Sequence, residues 1–227
     1  MNEIRVLPVV GIPEVSRGDD LAELIVEAWG PNLEDRDVLV VAQKVVSKAE
    51  GRLVDAADRS AVAVKESSRI LRRSGEMIIA ETFHGFVCAN AGVDSSNVPE
   101  GKVALLPLDS DLSARRIHQK VLRATGKHVA VIISDTFGRA WRLGQTNVAI
   151  GVAGMDPFID YRGTYDTQGR ELRATRIAIA DELAGAAEMV MRKRDGICAA
   201  VVRGAPIVLG RGAARDIARP HQQDLFR

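Results

Sequence analysis

Two aspartates in this chain stand in the same kind of setting. Asp94 follows Ala91-Gly92-Val93 and precedes Ser95-Ser96-Asn97, while Asp135 follows Ala130-Val131-Ile132-Ile133-Ser134 and precedes Thr136. Each setting is an apolar run, then an acid, then hydroxyl or amide residues. If the two runs are neighbouring strands, the carboxylates converge. Such a pair is the least a protein contributes to a Mg²⁺ or Mn²⁺ that is otherwise held by water and phosphate oxygens. Thr136 and Asn97 would extend that shell. The plainer alternative is that each aspartate caps a turn, and the sequence leaves both open.

The residues after Asp135 suit an anionic reactant. Arg139 and Arg142 offer guanidinium forks for a polyphosphate, with Trp141, Gln145 and Asn147 beside them and Gly138 and Gly144 loosening the backbone. Both arginines are candidates to stabilise charge that develops during a reaction. Lys44 and Lys48 follow the apolar run Asp37–Ala42 and could grip phosphate, although solvated lysines on an edge strand would look the same. Gly11-Ile12-Pro13-Glu14 is a rigid turn that either offers backbone groups to a purine or is only a turn. The chain contains neither GxxxxGK[ST] nor GxGxxG, so no P-loop or Rossmann motif is present. The four histidines lack zinc-site spacing, and no GxSxG elbow occurs. Any chemistry is therefore electrophilic and metal-assisted rather than covalent through Ser or Cys.

The elements that must position these groups form a mixed pattern. Strands are predicted at Ile4–Val10, Asp37–Ala42, Met77–Thr82, Phe86–Asn90, Val103–Leu106, Ala130–Ile133 and Ile197–Arg203, with a further strand leading into Asp94. Gln43–Arg52 is expected to keep some β character while carrying three cations. Helices are expected from Asp19 or Asp20 to Trp29, from Ser60 to Ser74 before Gly75, and from Ser110 to a stop at Gly126. Others are expected from Thr175 to Lys193 and, briefly, toward Arg219 before an Asp224-Leu225-Phe226 tail. Asp166-Thr167-Gln168-Gly169 reads as a hairpin-like turn. Strands alternating with helices give an α+β, or mixed α/β, class. One domain over residues 1–227 is expected, with a weak compositional break after Asp109.

Composition narrows the partners. With 227 residues, 46% hydrophobic and 27% charged, the chain can bury a sizeable core. Its 31 basic and 30 acidic residues nearly cancel, and 4% aromatics is too few for a base-stacking surface, so nucleic acid is not an expected partner. No leader or membrane-length apolar run appears, and Cys88 and Cys198 sit in apolar runs as buried thiols. A cytoplasmic protein with no membrane association is the expectation.

These blocks together resemble a known family. Leu7–Glu14, Val45–Arg52, the AGVD-x-SN block at Ala91–Asn97, the SDT-x-GRAWR block at Ser134–Arg142 and the pattern from Ala214 to Phe226 are similar to the GTP-dependent coenzyme F420-0:L-glutamate ligases. The resemblance runs along nearly the whole chain. It implies a stand-alone enzyme that joins glutamate to F420-0 with GTP, through an acyl phosphate formed at the γ-phosphate. Nucleotide contacts carry over to Gly11, Ile12, Pro13, Glu14, Gln43, Lys48 and Asn97. Metal ligands carry over to Asp94, Asp135 and Thr136, for Mg²⁺ or Mn²⁺ and as many as two ions. The candidate catalytic set is then Asp135 and Lys48, with Arg139 and Arg142 added from the chemistry of their loop rather than from the resemblance. The resemblance also implies an intertwined homodimer whose substrates are F420-0, L-glutamate and GTP.

Relatives often carry Ser or Thr where this chain has Gln43, which bears on that contact. They also tend toward an acidic or Ser-containing glycine loop where this chain reads Gly210-Arg211-Gly212. A nitroreductase-like half, such as the bifunctional members carry, is not expected. An acyl-phosphate amide ligase for another substrate, or a non-catalytic GTP-binding homologue, are the alternatives.

Overall fold

The computed structural model describes residues 3–225, so Phe226 of the expected tail lies outside the described residues. Strand β1 (Arg5–Pro8) is followed by helix α1 (Leu21–Trp29), strand β2 (Val38–Ala42) and helix α2 (Gln43–Ala49). A small lobe comes next, with β3 (Leu53–Asp55), α3 (Arg59–Lys65), β4 (Ser67–Ser74), β5 (Met77–Thr82), β6 (Val87–Ala89) and β7 (Lys102–Ala104). The chain then continues through α4 (Ser110–Thr125), β8 (Ala130–Arg139), β9 (Arg142–Ala153), β10 (Ile159–Asp160), β11 (Arg176–Ile177), α5 (Ile179–Met191) and β12 (Ala199–Arg203). The class is α+β, as expected. No helix among the described residues is long and apolar enough to cross a membrane.

The main sheet has the order β1-β12-β2-β8-β9. β2 runs parallel to β8, with Val38 opposite Ala130 and Ala42 opposite Ser134, and the other neighbours are antiparallel. Leu39, Val41, Val131 and Ile133 pack against Leu21 and Ile25 of α1 and Ala114, Ile117 and Val121 of α4. Val38, Val40, Ala130 and Ile132 face the other way, onto Ile179, Leu183, Ala184 and Ala187 of α5. Cover on both faces explains why these two strands are unbroken apolar runs in the sequence. Strands from both sides of residue 109 share this sheet. A separate cluster of Ala63, Ile78, Ala80, Ala91, Val93, Val103 and Leu105 holds the lobe together.

Local signals set several boundaries. Asp20 caps α1 by accepting from the amides of Ala22 and Glu23. Asp109 caps α4, and Gly126 ends it at φ 70°, where a side chain would be strained. Elsewhere the structure departs from expectation. Gln43–Ala49 is helical rather than β-like, because Val46 is buried and the Gln43 amide is tied to Ser47 and Leu105, a tertiary setting that overrides the β-branched pair Val45-Val46. The helix expected over residues 60–74 stops at Lys65. Ser67 turns the chain by donating to the Ala63 carbonyl, and β4 pairs with β5 around Gly75. α5 covers Ile179–Met191 only, since Arg176–Ile177 pairs with β10, and a 3₁₀ turn at Ala214–Asp216 replaces the short helix. Asp94 is not preceded by a strand; Asn90–Gly92 is a 3₁₀ turn, and Asp94 makes an isolated bridge to Ala104.

Asp111, buried in the first turn of α4, ties three segments together. Its Oδ1 accepts from the Val152 amide at 2.9 Å and the Ala214 amide at 2.7 Å, and its Oδ2 from the Arg215 amide at 3.4 Å. Removing that acceptor leaves buried N–H groups unpaired. Asp111→Ala is therefore expected to lower the unfolding free energy in urea by about 2–4 kcal/mol; a change within ±0.5 kcal/mol would contradict this role.

Candidate functional site

The parallel pairing of β2 and β8 sets the end of β2, at Ala42, beside Ser134 of β8. α2 begins directly after β2, and Asp135 follows Ser134 on β8. The expected loop after Ile133 is instead strand, because β8 continues to Arg139 and pairs with β9, placing Asp135 opposite Val148 and Thr136 opposite Asn147. The turn at residues 94–97 leans in from the lobe. It is anchored by the Asp94 amide donating to Ala104 O at 3.0 Å and the Ala104 amide donating to Asp94 O at 2.7 Å.

The two acids do converge. Asp94 lies near enough for its charge to push on Asp135. Burial is the main influence on the Asp135 carboxyl, and Asp94 adds to it, so the group is pushed up to about 6 even though the Thr136 amide, Lys44 and Lys193 pull the other way. Burial also opposes ionisation of Asp94, but bonds from Lys44 and Ser96 outweigh it and hold that carboxyl below its ordinary value. The Lys44 ammonium is 2.8 Å from Asp94 Oδ2 and donates to Ser96 O and Ser96 Oγ, both at 2.6 Å. Ser96 in turn donates to Asp94 from its amide and its hydroxyl, each at 2.8 Å.

Thr136 belongs to an adjoining network, as strand alternation requires of Asp135's neighbour. Its hydroxyl donates to Asn147 Oδ1 at 2.7 Å and accepts from Lys193 Nζ at 2.7 Å. Asn147 Nδ2 donates to Glu188 Oε2 at 3.0 Å, and Lys193 pairs with Glu188 at 3.0 Å. The sequence offers Lys44 only as a candidate phosphate grip, and it does not single out Glu188 or Lys193 as site residues. Lys193 is visible there only as the expected end of a helix, and no spacing ties it to Thr136. Asn97, in the left-handed region at φ 54°, reaches Lys193 O at 3.5 Å.

On the other flank, the Gly11–Glu14 turn meets α2. Lys48 is buried and pairs with the exposed Glu14, and both charges are felt at Cys198 at the head of β12. Gly11 has φ 89° and is exposed, as are Pro13 and Glu14. Gln43 is buried, with both amide hydrogens committed to Ser47 Oγ at 2.7 Å and Leu105 O at 2.9 Å. Arg139 and Arg142 are not brought to the acids. They face each other at the tip of the β8–β9 hairpin, four residues and about 13 Å from Asp135 along the strand.

A hard divalent cation fits this arrangement. The oxygens around the Lys44 ammonium are carboxylate, carbonyl and hydroxyl, the types such an ion takes, and a cation already sits among them. No group of three or more His, Cys, Asp or Glu suited to a metal occurs among the described residues. The acids could thus supply only a carboxylate pair, as in sites completed by phosphate oxygens and water.

The sequence model of the F420-0:gamma-glutamyl ligases matches residues 10–204. The coenzyme F420:L-glutamate ligase of Methanothermobacter thermautotrophicus is 43% identical over an alignment 249 positions long, gaps included, covering 99% of each chain. That of Methanocaldococcus jannaschii is 39% identical over 251, covering 100% of this chain and 99% of the relative. That of Archaeoglobus fulgidus is 41% identical over 243, covering 99% and 96%. The acid pair, the lysine helix and the glycine turn described above therefore lie in a chain that belongs to the F420-0:gamma-glutamyl ligase family.

Proposed function

We propose that this protein joins L-glutamate to coenzyme F420-0 at the expense of GTP, giving F420-1, GDP and phosphate. The observation that carries the reading is the approach of Asp94, in the turn leaning in from the lobe, to Asp135 on β8 just beyond its pairing with β2. They meet in a chain similar over nearly its whole length to proteins named coenzyme F420:L-glutamate ligase.

A carboxylate does not condense with an amine until its oxygen becomes a leaving group. In our reading the F420-0 carboxylate attacks the γ-phosphorus, forming a C–O–P bond as the bond to GDP breaks. The glutamate amine then attacks the acyl carbon, the C–O bond breaks with phosphate leaving, and the amine proton passes to solvent. Such a reaction asks mainly for positioning and charge neutralisation. The exposed backbone of Gly11, Ile12 and Pro13, with Glu14, would seat the nucleotide, and Asn97 would reach it from the lobe. Lys48 would neutralise phosphate charge, and Gln43 keeps only its carbonyl oxygen for a contact. Mg²⁺ or Mn²⁺, as one ion or two, held by Asp94 and Asp135, with Thr136 joining once its hydroxyl leaves Asn147 and Lys193, would supply further neutralisation at the phosphates.

A homodimer completes the reading. The β8–β9 hairpin ends in Leu143, which is 98% exposed, and β9 is the last strand of its sheet. An exposed apolar tip beside an open strand edge suits burial against a second copy. A role for Arg139 and Arg142 in catalysis goes with that copy, since the single chain keeps them at the tip.

Three measurements test the reading. Incubation with F420-0, glutamate, GTP and Mg²⁺ or Mn²⁺ should give a product heavier by one or more glutamyl residues, absent without GTP or metal; no product would overturn it. Asp135→Asn should reduce turnover at least about a hundredfold, yet raise the melting temperature of the metal-free protein at pH 8. The sign follows from the raised carboxyl. The penalty for ionising Asp135 is present above about pH 6 and fades as the group protonates in the fold. The gain should be on the order of 2–3 kcal/mol at pH 8 and should vanish near pH 4. Light scattering should show a dimer, and Leu143→Lys should shift it toward monomer.

A further inference from the structure

Lys44 has no task in the proposed reaction, yet its ammonium is placed with more care than a surface lysine needs. The side chain is only 18% exposed. It leaves the first turn of α2, crosses to the lobe and ends on three oxygens, Ser96 O, Ser96 Oγ and Asp94 Oδ2. Asp135 feels its charge as well. An ammonium is a compact point charge with three donors, so here it satisfies the kind of oxygen cage that a hard divalent ion takes. Without it, two neighbouring carboxylates would face each other with the Lys193 charge still acting on Asp135.

We infer that Lys44 is a built-in counter-ion that keeps the Asp94 and Asp135 pair in shape before metal arrives, and that it must leave Asp94 for a metal to bind. This inference rests on the metal assignment in the proposed function. One consequence is competition, because metal binding must displace an ammonium already in place. Another follows from helix geometry. Lys44 and Lys48 are one turn apart and share a face of α2. An ammonium released from Asp94 therefore lies beside Lys48 and is free to pair with an incoming anion, which makes the anion's arrival favour that of the metal.

The test is Mn²⁺ binding to protein free of metal and nucleotide, followed by the loss of the free-ion electron paramagnetic resonance signal. Wild type, Lys44→Met, Lys44→Gln and Asp135→Asn are compared. Both Lys44 variants should bind Mn²⁺ about tenfold more tightly than wild type. Their metal-free melting temperatures should be lower and should recover on Mn²⁺ addition. A lysine that merely supports the fold would leave affinity unchanged or weakened on removal, so equal, weaker or absent binding in a folded Lys44 variant overturns the inference. Lys44→Gln keeps the stem and a donor for Ser96, and it decides the matter if Lys44→Met does not fold. If Asp135→Asn binds Mn²⁺ as wild type does, the metal assignment itself fails and this inference with it. If Asp135→Asn abolishes binding while the Lys44 variants bind no more tightly, only this inference fails.

Discussion

Strands β2 and β8 run side by side in parallel, and a parallel pair needs cover on both faces. That requirement places α1 and α4 on one side of the sheet and α5 on the other. It also obliges the chain to travel from the end of β2 back to the start of β8, and this crossover carries α2, the lobe and α4. The end of β2 and the stretch of β8 beyond Ser134 thus lie on the same side, the side on which α/β sheets gather ligand groups. α2 leaves from the end of β2, Asp135 follows Ser134 on β8, and the crossover returns the turn at residues 94–97 to Lys44 of α2. Much of the polar chemistry described above depends on that one pairing.

The charges gathered there work against the fold as well as for it. Burial and the nearness of Asp94 make ionised Asp135 unfavourable, while the Thr136 amide, Lys44 and Lys193 limit the effect. A site optimised for stability would have a neutral residue at position 135. The networks around the two lysines explain how the acid is nonetheless retained. Lys44 ties α2 to the lobe, and Lys193 ties the end of α5 to β8 through Thr136. Local conflict of this kind, in a chain otherwise consistent from pattern to packing, is what functional groups impose.

Much of this was legible in the sequence where the signal is local. The acidic pair Asp19-Asp20, the start at Ser110 and the glycine at position 126 marked helix ends that the structure keeps. The runs Val38–Ala42 and Ala130–Ile133 read as strands buried on both faces. The AGVD-x-SN and SDT-x-GRAWR blocks pointed to the family that the comparisons show. What failed depended on partners distant in sequence. β4 is polar enough to read as a helix face, and only its pairing with β5 makes it a strand. α2 carries β-branched residues whose helical state follows from contacts with Leu105, more than 50 residues away. Neither the Lys193 contact with Thr136 nor the extension of β8 past Asp135 leaves any mark on neighbouring residues.

The misreading of the segment before Asp94 is the most informative of these. A regular strand would have put Asp94 and Ser96 on one face with their side chains roughly 7 Å apart, too far to share a single ammonium. The chain instead bends, with Asn90 and Ala91 in the left-handed region before the acid and Asn97 after it. The Asp94 carboxylate accepts from the Ser96 amide in a local Asx-type turn. That bend brings Ser96 O, Ser96 Oγ and Asp94 Oδ2 within 2.8 Å of the same nitrogen. Backbone in sparsely populated conformations persists where surrounding structure holds it. Here the paired amide and carbonyl of Ala104 and the Lys44 ammonium do so. The irregular turn gathers the oxygens into a cation cage, and a straight strand with the same residues would not.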